Sequence, residues 1–309
     1  MSQIRFGIYL PQSSNFETLK RMSALCESLG FDSVWVYDHL IPHHGRPLDE
    51  QYLEGWTTIT SIAALTTKIR IGILVLCNTF RYPSLVAKMS STLDSVTNGR
   101  LDFGIGAGWY DLEHESYGIP FPRASVRIEA LREALTIILG MWTEKKFSHE
   151  AQYYRIKDAY NEPKPVQKPH PPIWIGGIGD KILKVAAEFG DAWNFAFYSG
   201  NTPEEYRKRL DALHQHCKSL GRNPQDILNT WHGHIIVSKD DHSYRMKRQR
   251  FPPSEATSRA LIQGTTGDCV AQLRRFIDAG AQYFIFTYPD IQSEETPRLL
   301  IDEILPSLG

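Results

Sequence analysis

The sequence predicts an α/β fold of the (β/α)8-barrel (TIM barrel) type, carrying insertions at its C-terminal face. Three observations predict it. Eight short apolar, β-branched runs are spread along the 309 residues, a segment of helical period follows each, and the insertions at 38–55, 107–124 and 239–253 all follow strands. Strand–helix alternation implies parallel strands joined by right-handed crossovers. Eight such units favour a closed barrel over a doubly wound sheet, and barrels place their active sites on the C-terminal face. The whole chain, 1–309, reads as a single barrel domain, a length that one barrel can reach.

The elements follow in order. Run one is Ile4 to Leu10, and Phe16, Leu19, Met22, Leu25 and Leu29 then recur at helical steps across 15–29, with Gly30 as the stop. Run two, Ser33 to Tyr37, precedes a helix over 56–67, and run three, Ile69 to Leu76, is nearly all apolar, as a strand buried on both faces should be. Pro83 opens a helix to about Val96, which Asn98-Gly99 stops. Run four, Leu101 to Ile105, leads through a long loop into a helix over 125–142. A hairpin (Phe147 to Ile156) and a proline-rich stretch (Pro163 to Pro172) interrupt the rhythm. Run five (Ile173 to Ile175), a helix over 180–189, run six (Ala192 to Phe195) and a helix over 203–220 restore it. Run seven is Thr230 to Val237, and a charged insertion, Lys239 to Pro253, precedes helices at 254–262 and 268–279. Run eight, Gln282 to Thr287, and a helix over 295–305 close the chain.

Composition narrows the function. Lys plus Arg total 34 against 35 Asp plus Glu, so the chain carries no electrostatic footprint for nucleic acid or an anionic membrane. An anionic ligand must be met locally, by a few donors or a helix N-terminus. Cys26, Cys77, Cys217 and Cys269 form no CxxC pair, which argues against a disulfide framework or structural zinc and suits a reducing cytosol. Met1 to Gln12 has no basic region or cleavage site, and no apolar run approaches a membrane span, so a cytoplasmic enzyme with a small-molecule substrate is expected.

Four stretches can carry chemistry. Asp38-His39 follows run two, where a histidine at a barrel mouth can exchange protons; it can equally be a loop histidine bonded to a carbonyl. His43 and His44 stand nearby without a carboxylate or cysteine at ligand spacing, so no metal site is expected. Gly72 to Asn78, including Leu74, Val75 and Cys77, is a core strand whose mouth end could support a flat ring. Cys77 reads as packing, because no base is placed beside it. Gly104 to Tyr110, with Gly106, Ala107, Gly108 and Trp109, admits close approach of a ligand to the backbone. Ile175-Gly176-Gly177-Ile178-Gly179-Asp180-Lys181 leaves a strand straight into a helix, and its glycines, free N–H groups and Lys181 favour a phosphate site over an ordinary turn.

In this order these stretches resemble the luciferase-like superfamily, and within it the F420-dependent oxidoreductases. The matching text covers nearly the whole chain: Asp38-His39-Leu40, Phe80 to Pro83 with Lys88-Met89, Thr92 to Ser95, Gly99 to Leu101, Gly104 to Trp109 with Glu113, Tyr117 to Pro122, Pro163 to Gly177, and Gly190 to Asn194. The resemblance implies coenzyme F420 as cofactor, with FMN as the alternative in a monooxygenase using reduced flavin and oxygen, and a homodimer as partner state. A non-catalytic flavin-binding barrel is a further alternative, disfavoured by His39. It also implies a cofactor ring at the barrel mouth, backed by a non-proline cis peptide at Leu74–Val75. Asp38 and His39 then border the reactive face, the Gly176-Gly177 turn takes the cofactor phosphate, and Asp94 and Arg100 form a structural pair. Some sugar-phosphate and alcohol dehydrogenases of the family carry glutamate where Trp109 stands, which argues against their substrates here. The reading assigns proton transfer to His39, with Glu113 second, and a substrate wall to Tyr110, Trp109 and Phe80.

Overall fold

Strand parity divides the apolar side chains between two cores. In the computed structural model, which describes residues 4–43, 46–195, 202–258 and 261–309, Phe6, Ile8, Val34, Val36, Phe103, Ile105, Ile173, Ile175, Phe284 and Phe286 pack outward into the layer shared with the helices. Their alternates Tyr9, Trp35, Tyr37, Trp174, Tyr283 and Ile285 point inward and fill the barrel.

The elements are β1 (Arg5–Tyr9), α1 (Phe16–Leu29), β2 (Ser33–Val36), α2 (Gly55–Leu65), β3 (Arg70–Ile73) with a short continuation β4 (Leu76–Cys77), and α3 (Pro83–Val96). Then follow β5 (Leu101–Gly106), α4 (Asp111–Ser116), α5 (Ala124–Thr143), the hairpin β6 (Phe147–Glu150) and β7 (Arg155–Ala159), β8 (Ile173–Gly176), α6 (Asp180–Phe189) and β9 (Ala192–Phe195). The chain ends with α7 (Pro203–Ser219), β10 (Leu228–Ser238), α8 (Asp241–Arg250), α9 (Glu255–Ser258), β11 (Leu261–Thr265), α10 (Thr266–Asp278), β12 (Tyr283–Thr287), α11 (Glu295–Leu299), a π-helical segment at Leu300–Ile304 and α12 (Leu305–Leu308). Parallel pairing runs β1-β2-β3-β5-β8-β9-β10-β12 and back to β1, closing the eight-stranded barrel that the alternation predicts. No helix among the described residues is long and apolar enough to cross a membrane.

Three details depart from the sequence reading. The helix expected over 254–262 is only α9, and Leu261–Thr265 is a strand that pairs with β10 from His234↔Leu261 to Ser238↔Thr265. β10 outruns the barrel and offers a free edge, and an alternating segment that buries Ile262 and Gly264 satisfies its backbone there better than a helix would. The insertion after β10 contains a helix of its own, α8, and the loop after β5 contains α4. Asp94 and Arg100 do not pair. Asp94 accepts from the backbone and side-chain amides of Gln167 at 3.0 and 2.7 Å. Arg100 instead donates to the carbonyls of Ala63, Thr66 and Ile69, which include the orphan acceptors at the end of α2.

The barrel floor is locked by Arg70, which grips Asp102 at 2.7 and 3.0 Å, beneath Trp35 and Trp174 with ring centroids 4.6 Å apart. Above the floor the chain kinks at the cis Leu74–Val75 peptide expected from the resemblance. Val75 there projects among glycines: a Cβ on Gly106 or Gly176 would stand 2.8 or 2.9 Å from Val75 Cγ2. A Cβ on Gly104 would stand 2.1 Å from the Ile73 carbonyl oxygen, a backbone atom with nowhere to go. Gly104→Ala should therefore cost about 2–3 kcal/mol. Gly30→Ala, at a left-handed position with nothing within 4 Å, should cost about 1 kcal/mol. Urea unfolding of both variants checks the order, and equal losses would remove the packing argument.

Candidate active site

The inward parity of the strands leaves a cavity of about 340 Å³ at their C-terminal ends, roofed by the loops after β2, β5 and β8. Asp38, His39, Leu74, Val75 and Cys77 line one side. Gly106, Ala107, Gly108, Trp109 and Glu113 line the next, and Gly176, Gly177 and Gly179 a third. Three residues of the sequence reading lie elsewhere. Ile175 is fully buried on the helix-facing side of β8, because it shares parity with Ile173 while Trp174 and Gly176 face inward. Phe80 packs on His114 at 5.0 Å between centroids, and Tyr110 stacks behind Trp109 at 5.1 Å. His44 lies outside the described residues.

His39 and Glu113, 74 positions apart in the chain, meet in this cavity. His39 Nδ1 lies 2.9 Å from Glu113 Oε1, and Glu113 Oε2 accepts the backbone N–H of Leu40 at 2.9 Å. A buried carboxylate can only accept, so the imidazole is held with Nδ1–H toward Glu113 and Nε2 free. The ring is further fixed by His43, stacked at 4.1 Å, and by the edge of Trp109 at 5.4 Å.

Asp38 is buried. Its Oδ2 accepts from Arg81 Nη1 and from the Cys77 N–H, both at 2.8 Å, and Arg81 bridges onward to Glu54 at 2.8 Å. Its Oδ1 has no hydrogen-bond partner among the described residues. Burial pushes the Asp38 carboxyl up, and the Arg81 guanidinium pulls against it without fully offsetting it. Burial also pushes the Cys77 thiol up to about 12, which leaves it a packing thiol beside Thr79 rather than a nucleophile.

Several lining residues gave little sign of themselves in the sequence. His232 lies inside β10, and burial, followed by the charge of His234, pushes it down to about 3, so it stays neutral with Tyr37 Oη and Thr287 Oγ1 at 3.2 Å. The parity of β10 around outward Trp231 was the available signal. Arg127 stands in α5 among core positions and lines the cavity, donating to the Ala107 and Gly108 carbonyls at 3.2 Å and to that of Pro122. Its guanidinium covers Phe121 at 3.8 Å and has no carboxylate partner among the described residues. The glycine turn meets α6 at Gly179, a cap with no side-chain hydrogen bond. Around Gly179 a Cβ would find open space.

Comparison with known proteins places this geometry. The sequence profile described as luciferase-like monooxygenase matches residues 1–282. An F420-dependent glucose-6-phosphate dehydrogenase of Microbacterium testaceum is 30% identical, covering 99% of this chain and 97% of that protein. The coenzyme F420-dependent tetrahydromethanopterin reductase of Methanopyrus kandleri superposes with a TM-score of 0.83 at 19% identity, covering all of both chains. A monooxygenase of Streptomyces bottropensis superposes with a TM-score of 0.84 at 21% identity, covering 99% of this chain and 100% of that one, so these structures share the fold across different reactions.

The Asp38–Arg81 contact yields a sign that can be checked. A carboxyl whose folded pKa stands above its unfolded value stabilises the fold at low pH and loses that contribution as pH rises. Arg81→Met removes the partner and pushes Asp38 further up. The variant should lose about 3 kcal/mol near neutrality, and the deficit against the parent should shrink toward about pH 5. Urea unfolding at the two pH values measures it; a deficit that grows on acidification would reverse the assignment.

Proposed function

The chain belongs to the luciferase-like monooxygenase family, and from that premise we propose that it is an oxidoreductase that transfers hydride between coenzyme F420 and a small organic substrate. The observation that carries the reading is a single apolar cavity joining the His39–Glu113 pair to the uncapped start of α6.

The lining fits a deazaflavin. The orphaned Asp38 Oδ1 can accept an N–H of the ring system. Leu74, Val75 and Ile128 offer apolar surface to a flat ring, and Gly106 and Gly108 keep the backbone accessible beside it. The free N–H groups of α6 and the nearby cation Arg127 suit a phosphate. Bound there, the coenzyme supplies a ring carbon that gives or takes hydride. The chain supplies the rest. His39 Nε2 moves the proton, and Glu113 holds the imidazole in the tautomer that frees that nitrogen. Glu113 is thus a positioning residue rather than a rival acid, and the Arg81 clamp keeps Asp38 from swinging away.

Fluorescence titration of the purified protein should show tighter binding of coenzyme F420 than of FMN. Gly179→Leu fills open space at the start of α6, so it should leave the urea midpoint in place while raising the F420 dissociation constant at least about tenfold. Unchanged affinity would sink the phosphate assignment, and equal or tighter FMN binding with oxygen-dependent turnover would favour a monooxygenase. His39→Gln should retain cofactor affinity and melting temperature while single-turnover hydride transfer falls about 10²–10⁴-fold. Glu113→Gln should fall less and shift the pH profile of the rate. A larger loss at Glu113 than at His39 would reverse their roles.

A further inference from the structure

α4 rests against the barrel on two polar side chains. Of its six residues the buried ones are Glu113 and His114, while Leu112 is 37% exposed. A helix that turns no apolar residue inward is placed by its hydrogen bonds rather than by burial of an apolar stripe. Glu113 holds the His39 ring and the Leu40 N–H. His114 holds the other side. It is fully buried, packed on Phe80 at 5.0 Å and on Phe121 at 4.6 Å between ring centroids.

His114 also joins two stretches of backbone. Its Nδ1 lies 2.6 Å from the Tyr110 carbonyl oxygen, and its Nε2 lies 2.6 Å from Thr79 Oγ1, 35 positions away in the chain. A carbonyl only accepts, so Nδ1 carries the proton, and Nε2 of the neutral ring accepts from the Thr79 hydroxyl. Thr79 Oγ1 in turn accepts from the thiol of Cys77 at 3.0 Å, which burial keeps protonated. The chain Cys77–Thr79–His114–Tyr110 therefore runs in one direction, from a thiol that lines the cavity to the N-cap of α4. Gly108 packs against the same chain: a Cβ there would stand 2.6 Å from Cys77 Sγ and 3.7 Å from His114 Cε1.

We propose that His114 is a positioning residue: through Thr79 it pins α4 to the end of β4, and so fixes where Glu113 presents its carboxylate to His39. Its effect on rate rests on the function proposed above, whereas its effect on the His39 tautomer does not. Glu113 and His114 occupy consecutive helical positions, about 100° apart around the axis, so one reaches the turn after β2 while the other reaches the end of β4. A shift of α4 by about 1 Å takes the 2.9 Å contact between Glu113 and His39 out of hydrogen-bond range. The His39 ring then divides between its two tautomers, and Nε2 is no longer reserved for the cavity.

The test reads nitrogen-15 spectra of histidine-labelled protein without coenzyme at about pH 8.5, above the ordinary histidine range. The His39 signals are identified by their loss in His39→Gln. The parent should show His39 protonated on Nδ1. Thr79→Val keeps the side-chain shape and removes the hydroxyl. It should give mixed tautomers at His39 and slow single-turnover hydride transfer by the coenzyme-saturated protein about tenfold. Thr79→Ser returns the hydroxyl and should restore both. His114→Phe, one ring for another, should match Thr79→Val, and Thr79→Val alone decides if that variant does not fold. In a Glu113→Ala background Thr79→Val should cost no further rate, because the link it breaks no longer leads to His39. An unaltered His39 tautomer in Thr79→Val would overturn the inference. So would failure of Thr79→Ser to restore it, or an equal rate loss in the Glu113→Ala background. Absence of F420 binding or of hydride transfer in the parent would instead strike the proposed function, and the coenzyme-free spectra would still decide the role of His114.

Discussion

The upper half of the barrel depends on where the Val75 side chain goes. The kink after β3 turns it into the barrel, where its methyl groups occupy the space that Cβ atoms on Gly104, Gly106 and Gly176 would need. Three glycines on two neighbouring strands, β5 and β8, are therefore one packing unit with Val75, in the link between β3 and β4. Below this layer the interior is closed by Trp35, Trp174 and Tyr283. Above it, nothing larger than glycine stands on the inner faces of β5 and β8, and the cavity opens there. The same substitution pattern that lets Val75 in thus creates the site.

Chemistry is assembled on that shelf from opposite loops. Glu113 comes from α4, in the loop after β5, and reaches both the ring and the backbone of the His39 turn after β2. One carboxylate so fixes the orientation of the imidazole and the path of the loop that carries it. Asp38, the preceding residue, is drawn the other way, into a buried contact with Arg81 and the N–H of Cys77. Neighbours in sequence with opposed anchors leave the His39 ring little freedom, which is what a proton donor needs for its nitrogen to meet a reacting atom. Leaving Asp38 half satisfied is costly in a buried site, and a ligand donor that completes it recovers that cost on binding.

The barrel and most of the cavity were legible in the chain because both rest on local patterns. Apolar runs alternating with helical periods dictate parallel strands, and strand ends rich in glycine or bearing Asp38-His39 mark the mouth. The same reading placed Ile175 at the site because it stood next to two glycines; parity along β8 turns it outward. The family resemblance paired Asp94 with Arg100, whereas each is claimed by a stronger local need: the amides of Gln167 and the open carbonyls of α2. The sequence reading called 254–262 helical because it could not see the unpaired edge of β10 that makes a strand of Leu261–Thr265.

What the sequence determined by itself was the order of elements, the face on which chemistry would gather, and a set of side chains able to perform it, since these follow from periodicity and residue type. Only the tertiary structure decided which of those side chains meet. The His39–Glu113 pair spans 74 positions and the contact of Tyr37 with His232 spans 195, and neither partner carries any local mark of the other. Closure of the barrel brings the ends of distant strands within hydrogen-bond reach. Which residues then face inward is settled by two-residue parity, where a shift of one position moves a side chain from the site to the core.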